Sequence, residues 1–351
     1  MMTCVTSIIC VASFSKNGKL KEEELKKNFS EIIWISNSSF SNLQDFIKNA
    51  FSKKLPILFI SSCGIAVRKI SPFVKDKFLD SPVLVMDEKS KFIIPILSCH
   101  LGGANKIAKK FSQKLLSVPV ITTATDIQEK FSIDLFAKNN ALKILNRDGI
   151  KKISSKILNN EIINIWINEK INYSKKDIPK SFKIISFKKL SDFENSKTDV
   201  IIDFTLEKQN CILQLCPKLY CVGIGCKKNK SFEELYDFFK ITFEKNNLQL
   251  EDIKSISSID LKQNERGLLI LSQFLNVPFY VFSSEELNNV EGNFAESDFV
   301  KKTTGVSNIC ERAAKLSSGK DGKIILAKTS FNGITIALAK QESINLTWND
   351  K

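Results

Sequence analysis

Short apolar runs alternate with stretches of helical periodicity along most of this chain, and that alternation restricts the fold more than any other feature. Thr3 to Ala12 reads as strand, Lys19 to Phe29 as helix, Glu31 to Ser36 as strand, Leu43 to Phe51 as helix and Pro56 to Ser61 as strand. A glycine turn at Cys63-Gly64 leads into Ile65 to Ile70. Val83 to Asp87 and Phe92 to Leu97 are strands joined by the polar turn Glu88-Lys89-Ser90, an antiparallel excursion before helix Ala104 to Leu116 and strand Val118 to Thr122. Such a pattern predicts an α/β layered fold with a largely parallel sheet.

Three regions follow from this reading. Residues 1–130 form an N-terminal α/β domain, and 131–216 a small middle α/β unit with Asn146-Arg147-Asp148-Gly149 as a turn. In that unit the polar stretches Asn172 to Lys183 and Ser191 to Thr198 read as exposed loops. Residues 217–351 form a C-terminal α/β domain: strand Tyr220 to Gly225, a capping box Ser231-Phe232-Glu233-Glu234 opening a helix, strand Ser255 to Ile259, helix Glu265 to Leu275 and strand Pro278 to Phe282. It ends in a β-hairpin, Gly322 to Ala339, around Asn332-Gly333.

Composition excludes several classes. At 43% hydrophobic and 26% charged residues the chain is globular, and no apolar run reaches the ~18 residues that span a bilayer. Met1 to Ser15 lacks a basic n-region and reads as a first strand rather than a signal peptide. Nine cysteines point to free thiols in a reducing cytoplasm. Cys211, Cys216, Cys221 and Cys226 are spaced five apart, which alternates faces on a strand and does not match metal-site spacing, so they read as small buried apolar residues. The net charge of +14 comes from lysine in a chain rich in Ile, Asn and Phe, a compositional drift that carries no nucleic-acid motif. Against that background the four arginines, Arg68, Arg147, Arg266 and Arg312, stand out, because arginine recognises carboxylates bidentately.

The chain has one histidine, His100, in Ser98-Cys99-His100-Leu101-Gly102-Gly103-Ala104-Asn105, between a strand and a helix start. That placement sets an imidazole beside backbone N–H groups, as a proton-transfer group or as a residue filling a turn. Parallel sheets bind ligands at the carboxyl ends of their strands, where Ser61 to Gly64, Ser98 to Gly103 and Thr122 to Asp126 would gather and bring His100 near Asp126. Gly223-x-Gly225 lacks the third glycine of a dinucleotide site, and neither a P-loop nor a G-x-S-x-G elbow is present. Only His100 could serve as the base of a Ser-His-Asp triad. Asp87-Glu88, at a hairpin tip, read as solvated turn residues.

Residues 64–126, with GIAVRKISPFVKDKFLDSPVLVMDE, IPILSCHLGGANKIA and PVITTATD, resemble the cobalamin-biosynthesis family CbiG, the cobalt-precorrin 5A hydrolases. The C-terminal third resembles the same family through VGIGCKKNKSFEEL, SSIDLKQNERGLL, VEGNF, FVKKTTGVSNICERAA and NGITIALA. Three of the four arginines, Arg68, Arg266 and Arg312, fall in these segments. The family usually has glycine where this chain has Cys99, so left-handed backbone is expected only at Gly102 or Gly103.

The resemblance implies opening of a δ-lactone on a ring-contracted cobalt macrocycle with release of acetaldehyde; the alternative is a non-catalytic macrocycle-binding protein of the same pathway. It implies no protein-held cofactor, cobalt arriving chelated in the polyanionic substrate, and channelling with other enzymes of the pathway, with no nucleic-acid or membrane partner. Residue chemistry then assigns His100 as base with Asp126 orienting it. The N–H groups of Gly102 and Gly103 would hold an oxyanion or a carboxylate. Arg68, Lys77, Asn105, Thr123, Thr125, Glu311 and Arg312 would contact substrate.

Overall fold

Apolar runs without strict alternation must be covered on both faces, and the N-terminal region meets that demand with parallel strands between helices. In the computed structural model, which describes residues 3–4, 7–76, 78–186 and 198–348, β1 (Thr3–Cys4) precedes β2 (Ile8–Ser13), buried along its whole length. Next come α1 (Lys16–Asn28), β3 (Ile33–Ser36), α2 (Leu43–Ser52), β4 (Ile57–Ile60), α3 (Cys63–Ile70), β5 (Val83–Met86), β6 (Phe92–Leu97), α4 (Ala104–Leu115) and β7 (Val118–Pro119). They build a six-stranded sheet of order β3-β2-β4-β5-β6-β7. Only the β5–β6 pair is antiparallel, the excursion expected from the polar turn. Asp87 shapes that turn by accepting from the Lys89 and Phe92 N–H groups.

Leu25 and Phe29 of α1 and Ala108 and Phe111 of α4 pack on Ile9, Val11, Leu58 and Leu84. The Phe29 and Phe111 rings lie 4.5 Å apart, each buried side chain contributing about 1.5–3 kcal/mol. Ser15 caps α1 by accepting from the Gly18 N–H at 2.9 Å. Two expectations change here. The run Thr3 to Ala12 is divided, β1 pairing antiparallel with β16 (Phe279–Phe282) while β2 enters the N-terminal sheet. The Cys63-Gly64 turn is instead the first turn of α3.

The middle region holds α5 (Ala124–Ile127), α6 (Ile133–Asn139), β8 (Leu142–Ile144), α7 (Arg147–Leu158), β9 (Ile163–Ile167), β10 (Ile171–Tyr173), β11 (Phe182–Ile184), β12 (Val200–Ile202) and β13 (Leu213–Pro217). Its sheet has the order β11-β9-β12-β13-β8, parallel except for β8. The expected turn at Asn146 to Gly149 is the start of α7. The Asn146 side chain donates to the Ile212 carbonyl at 2.6 Å and accepts from the Gln214 N–H at 2.7 Å. Gly149 admits the Ile212 carbonyl, which would lie 2.3 Å from any Cβ placed there. The stretch Asn172 to Lys183 is not wholly loop, since β10 and β11 occupy its ends. Of Ser191 to Thr198, Thr198 is buried and the rest lies outside the described residues.

The C-terminal third supplies β14 (Tyr220–Cys226), α8 (Phe232–Lys245), β15 (Ile253–Ile259), α9 (Arg266–Leu275), β16, α10 (Ser284–Asn288), α11 (Asp298–Thr304), α12 (Cys310–Ser317), β17 (Lys323–Phe331), β18 (Ile334–Lys340) and β19 (Ile344–Leu346). β14 pairs parallel with β15, and β17 with β18 as a hairpin. Asn332 and Gly333 both have positive φ, as a two-residue I′ turn requires. Gly223 lets α12 rest on β14, because a Cβ would meet the Cys310 carbonyl at 1.8 Å. β19 pairs parallel with β10, and Ile344, Leu346 and Trp348 join the middle core beside Phe136 and Phe182.

By contact the chain divides into two units. Residues 1–123, 226–240 and 258–283 form one, and 124–225, 241–257 and 284–351 the other. No helix among the described residues is long and apolar enough to cross a membrane.

Candidate functional site

The loop between β6 and α4 closes on itself through its backbone. The Gly103 N–H donates to the His100 carbonyl at 3.1 Å, the Asn105 N–H to the Cys99 carbonyl at 2.9 Å, and the Ala104 N–H to the Ser98 carbonyl at 3.4 Å. Ser98 Oγ ties the loop to the Asp80 carbonyl at 2.8 Å. Left-handed backbone falls at Gly103 (φ +91°) and not at Cys99, as expected, but Ser98 is left-handed too (φ +49°), so the turn does not confine that conformation to its glycines. Cys99 therefore sits in the turn without left-handed backbone strain. His100 is half-buried at the head of this turn. Of the two N–H groups expected to meet an anion, that of Gly103 is spent on the His100 carbonyl.

Asn105, buried in the first turn of α4, donates from Nδ2 to Thr123 Oγ1 at 3.0 Å. That bond joins the turn after β6 to the segment after β7, but the expected gathering of three loops at the carboxyl ends fails. β6 runs antiparallel to β5, with Leu97 opposite Val83, so these two loops lie at the amino-terminal edge of β4 and β5 and Ser61 to Gly64 at the other. From the third, Arg68 is exposed on α3, its guanidinium folded back over Gly64, 3.4 Å from where a Cβ would stand. Lys77 lies outside the described residues. Thr125 and Asp126 belong to the other unit, both half-buried on the single turn of α5.

Glu311 and Arg312 are bonded to the protein's own backbone. Glu311 is 4% exposed. Its carboxylate accepts from the Ala295 N–H at 3.0 Å, from Asn308 Nδ2 at 2.6 Å and from the Lys328 N–H at 2.7 Å. Arg312 Nη1 donates to the carbonyls of Leu287, Asn288 and Val290 at 3.1–3.2 Å, satisfying the end of α10, and the guanidinium lies 4.8 Å from the Phe294 ring centroid. The Glu311 charge is consumed by the fold, and Arg312 is held through Nη1 while its buried Nε has no hydrogen-bond partner among the described residues. Of the spaced cysteines, Cys216 and Cys221 are buried and Cys211 and Cys226 half-buried; burial pushes the Cys211, Cys216 and Cys226 thiols up to about 11 and raises Cys221 as well.

The first unit also contains a cleft of about 510 Å³ that includes Lys53, Lys228, Lys230 and Arg266 in its lining. The sequence reading assigned none of these to substrate, although Arg266 is one of only four arginines.

The family described as Cobalamin synthesis G N-terminal matches residues 45–126, and Cobalamin synthesis G C-terminus matches residues 220–339. Cobalt-precorrin-5A hydrolase of Salmonella typhimurium is 32% identical over 83% of both chains. The enzyme of the same name from Priestia megaterium is 30% identical over 84% of this chain and 80% of its own. A solved cobalamin biosynthesis protein G homolog from Sulfolobus solfataricus is 26% identical, covering 95% of this chain and 97% of its own with a TM-score of 0.41. The chain belongs to the cobalamin synthesis G family, whose curated members similar to it carry the name cobalt-precorrin-5A hydrolase.

Proposed function

We propose that this protein is an enzyme of cobalamin biosynthesis that hydrolyses cobalt-precorrin-5A. The observation that carries the proposal is the 32% identity to the Salmonella enzyme along 83% of both chains. In this reading water adds to the lactone carbonyl and the ring opens to a carboxylate and a free secondary alcohol. The alcohol then loses its proton, the carbon–carbon bond to the macrocycle breaks, acetaldehyde leaves, and the macrocycle takes the electron pair, giving cobalt-precorrin 5B. Both steps need a base, and the first needs stabilisation of an oxyanion.

The roles assigned are His100 as that base and Asp126 as the group that orients it. The Gly102 N–H serves the oxyanion, and Asn105, Thr123 and Thr125 are assigned to substrate contact. Arg68 and Lys77 take peripheral carboxylates. Cobalt enters chelated in the substrate, and no cofactor of the protein's own is required. The protein works in the cytoplasm and exchanges its macrocycle with neighbouring enzymes of the route.

Acetaldehyde release from cobalt-precorrin-5A is the test. A protein that shifts the spectrum of the macrocycle without releasing acetaldehyde is a carrier of the same ligand, and the hydrolase reading fails.

A further inference from the structure

The cleft in the first unit is built rather than incidental. Its 510 Å³ falls within the range of small-molecule sites, and each of its sides is pinned. Gly267 lets α9 close on the loop before α8, because a Cβ there would sit 2.1 Å from the Lys230 carbonyl. The Asn229 N–H donates to Glu265 Oε1 at 2.6 Å, and Glu265 pairs with Lys262 at 3.1 Å. Ser231 and Glu234 exchange the two bonds of the capping box at 3.1 and 3.0 Å. Lys53 of the segment after α2 pairs with Glu233 at 2.9 Å and lies over the Phe232 ring.

These pairings leave a residue of positive charge. Glu233, Glu234 and Glu265 are each engaged by a lysine, Lys53, Lys230 and Lys262 in turn. Lys228 and Arg266 also line the cleft, both exposed, and among the described residues no carboxylate pairs with either. Phe232 and Arg266, the first residues of α8 and α9, both line it, so two helix N-termini add to the same field.

We propose that this cleft recognises carboxylates, with Arg266 and Lys228 clamping two acidic arms of an anionic tetrapyrrole. The identity of the ligand rests on the hydrolase reading above; the site itself rests on the cleft. Arg266 supplies a flat two-pronged donor for one carboxylate, and Lys228 a point charge for a second. Their role is to hold the macrocycle, and the bond-breaking steps lie elsewhere.

The test uses the full chain with Lys228→Ala, Arg266→Ala and Arg266→Lys. Binding is read by fluorescence of uroporphyrin III, an octacarboxylate tetrapyrrole, and turnover by acetaldehyde release from cobalt-precorrin-5A. Each alanine variant is expected to weaken uroporphyrin binding roughly tenfold and to raise KM by more than it lowers kcat. Arg266→Lys recovers part of the loss, which a merely misfolded variant would not do. Unchanged affinity and KM in both alanine variants would overturn the site. Wild-type protein that binds uroporphyrin through these residues but releases no acetaldehyde would sink the hydrolase reading and leave the cleft standing.

Discussion

The Ser98 carbonyl oxygen lies 2.7 Å from where a Cβ of Gly102 would stand, with Ser98 Cβ closer still at 2.5 Å. Two residues on either side of His100 are thus in near contact through the absence of a side chain. Gly102 is required for space, and Gly103 for its left-handed φ. Gly102→Ala is expected to cost about 1–3 kcal/mol through overpacking and to displace His100. Chemical denaturation reads the first effect. Acetaldehyde release reads the second, and a fully active, equally stable variant would refute the account of the loop.

Cys99→Gly places in this turn the glycine that the sequence resemblance leads one to expect. Because Cys99 is not left-handed here, the glycine gains nothing in the fold and loosens the unfolded chain. A loss of about 0.4–1 kcal/mol is expected, with turnover unaltered. A gain in melting temperature would mean that the cysteine is strained after all.

His100→Ala is expected to lower kcat about 10²–10⁴-fold, the range for loss of a general base. Asp126→Asn, which keeps shape and removes charge, should lower kcat less and shift the pH profile of the reaction. Near-wild-type turnover of the alanine variant removes His100 from the chemistry.

Glu311→Ala strips the partner from two backbone N–H groups and from Asn308. The expected loss is about 3 kcal/mol or more, since bonds to a charged acceptor are worth about 1.5–3 kcal/mol each and leave buried donors unsatisfied. Urea unfolding measures it. If stability holds while KM rises, Glu311 reaches the substrate and its structural assignment is wrong.

Glu22 gives a pH signature. Burial pushes its carboxyl up, but hydrogen bonds from Lys26, Ser13 and Ser36 and the Lys26 charge outweigh that and hold it below 4.5. A depressed carboxylate contributes stability that is present above the unfolded value and lost as pH falls through the folded one. The stability difference between wild type and Glu22→Gln should therefore be full near neutrality and shrink below about pH 4.5. A difference that stays constant from pH 7 to pH 3 would contradict it.

Local chemistry was readable in advance. The Ser231–Glu234 box, the Asn332-Gly333 hairpin and the antiparallel excursion between β5 and β6 each depend on residues a few positions apart. What escaped depends on distant partners. Nothing in Thr3 to Ala12 marks where one strand ends and another begins, because the break is imposed by β16, whose pairing with β1 lies far along the chain. Ile344 to Leu346 drew no reading from the sequence, because its strand partner β10 lies far back along the chain. Glu311 and Arg312 looked like ligand contacts because a charged pair opening a helix has the same letters whether it meets substrate or the protein's own amides. Lys228 and Arg266 were passed over for the opposite reason: their importance lies in neighbours whose charges are already spoken for.

The parallel pairing of β10 with β19 sets an order of assembly. Asn140 exchanges hydrogen bonds with the backbone of Thr347 across 207 positions, and Trp348 stacks on Phe136 at 5.2 Å. The middle sheet can therefore begin to form while the chain is still being synthesised, but its aromatic core stays open until the segment around Trp348 has emerged and returned. Over that interval Phe136 and Phe182 face solvent, the period in which a chaperone would find most to hold.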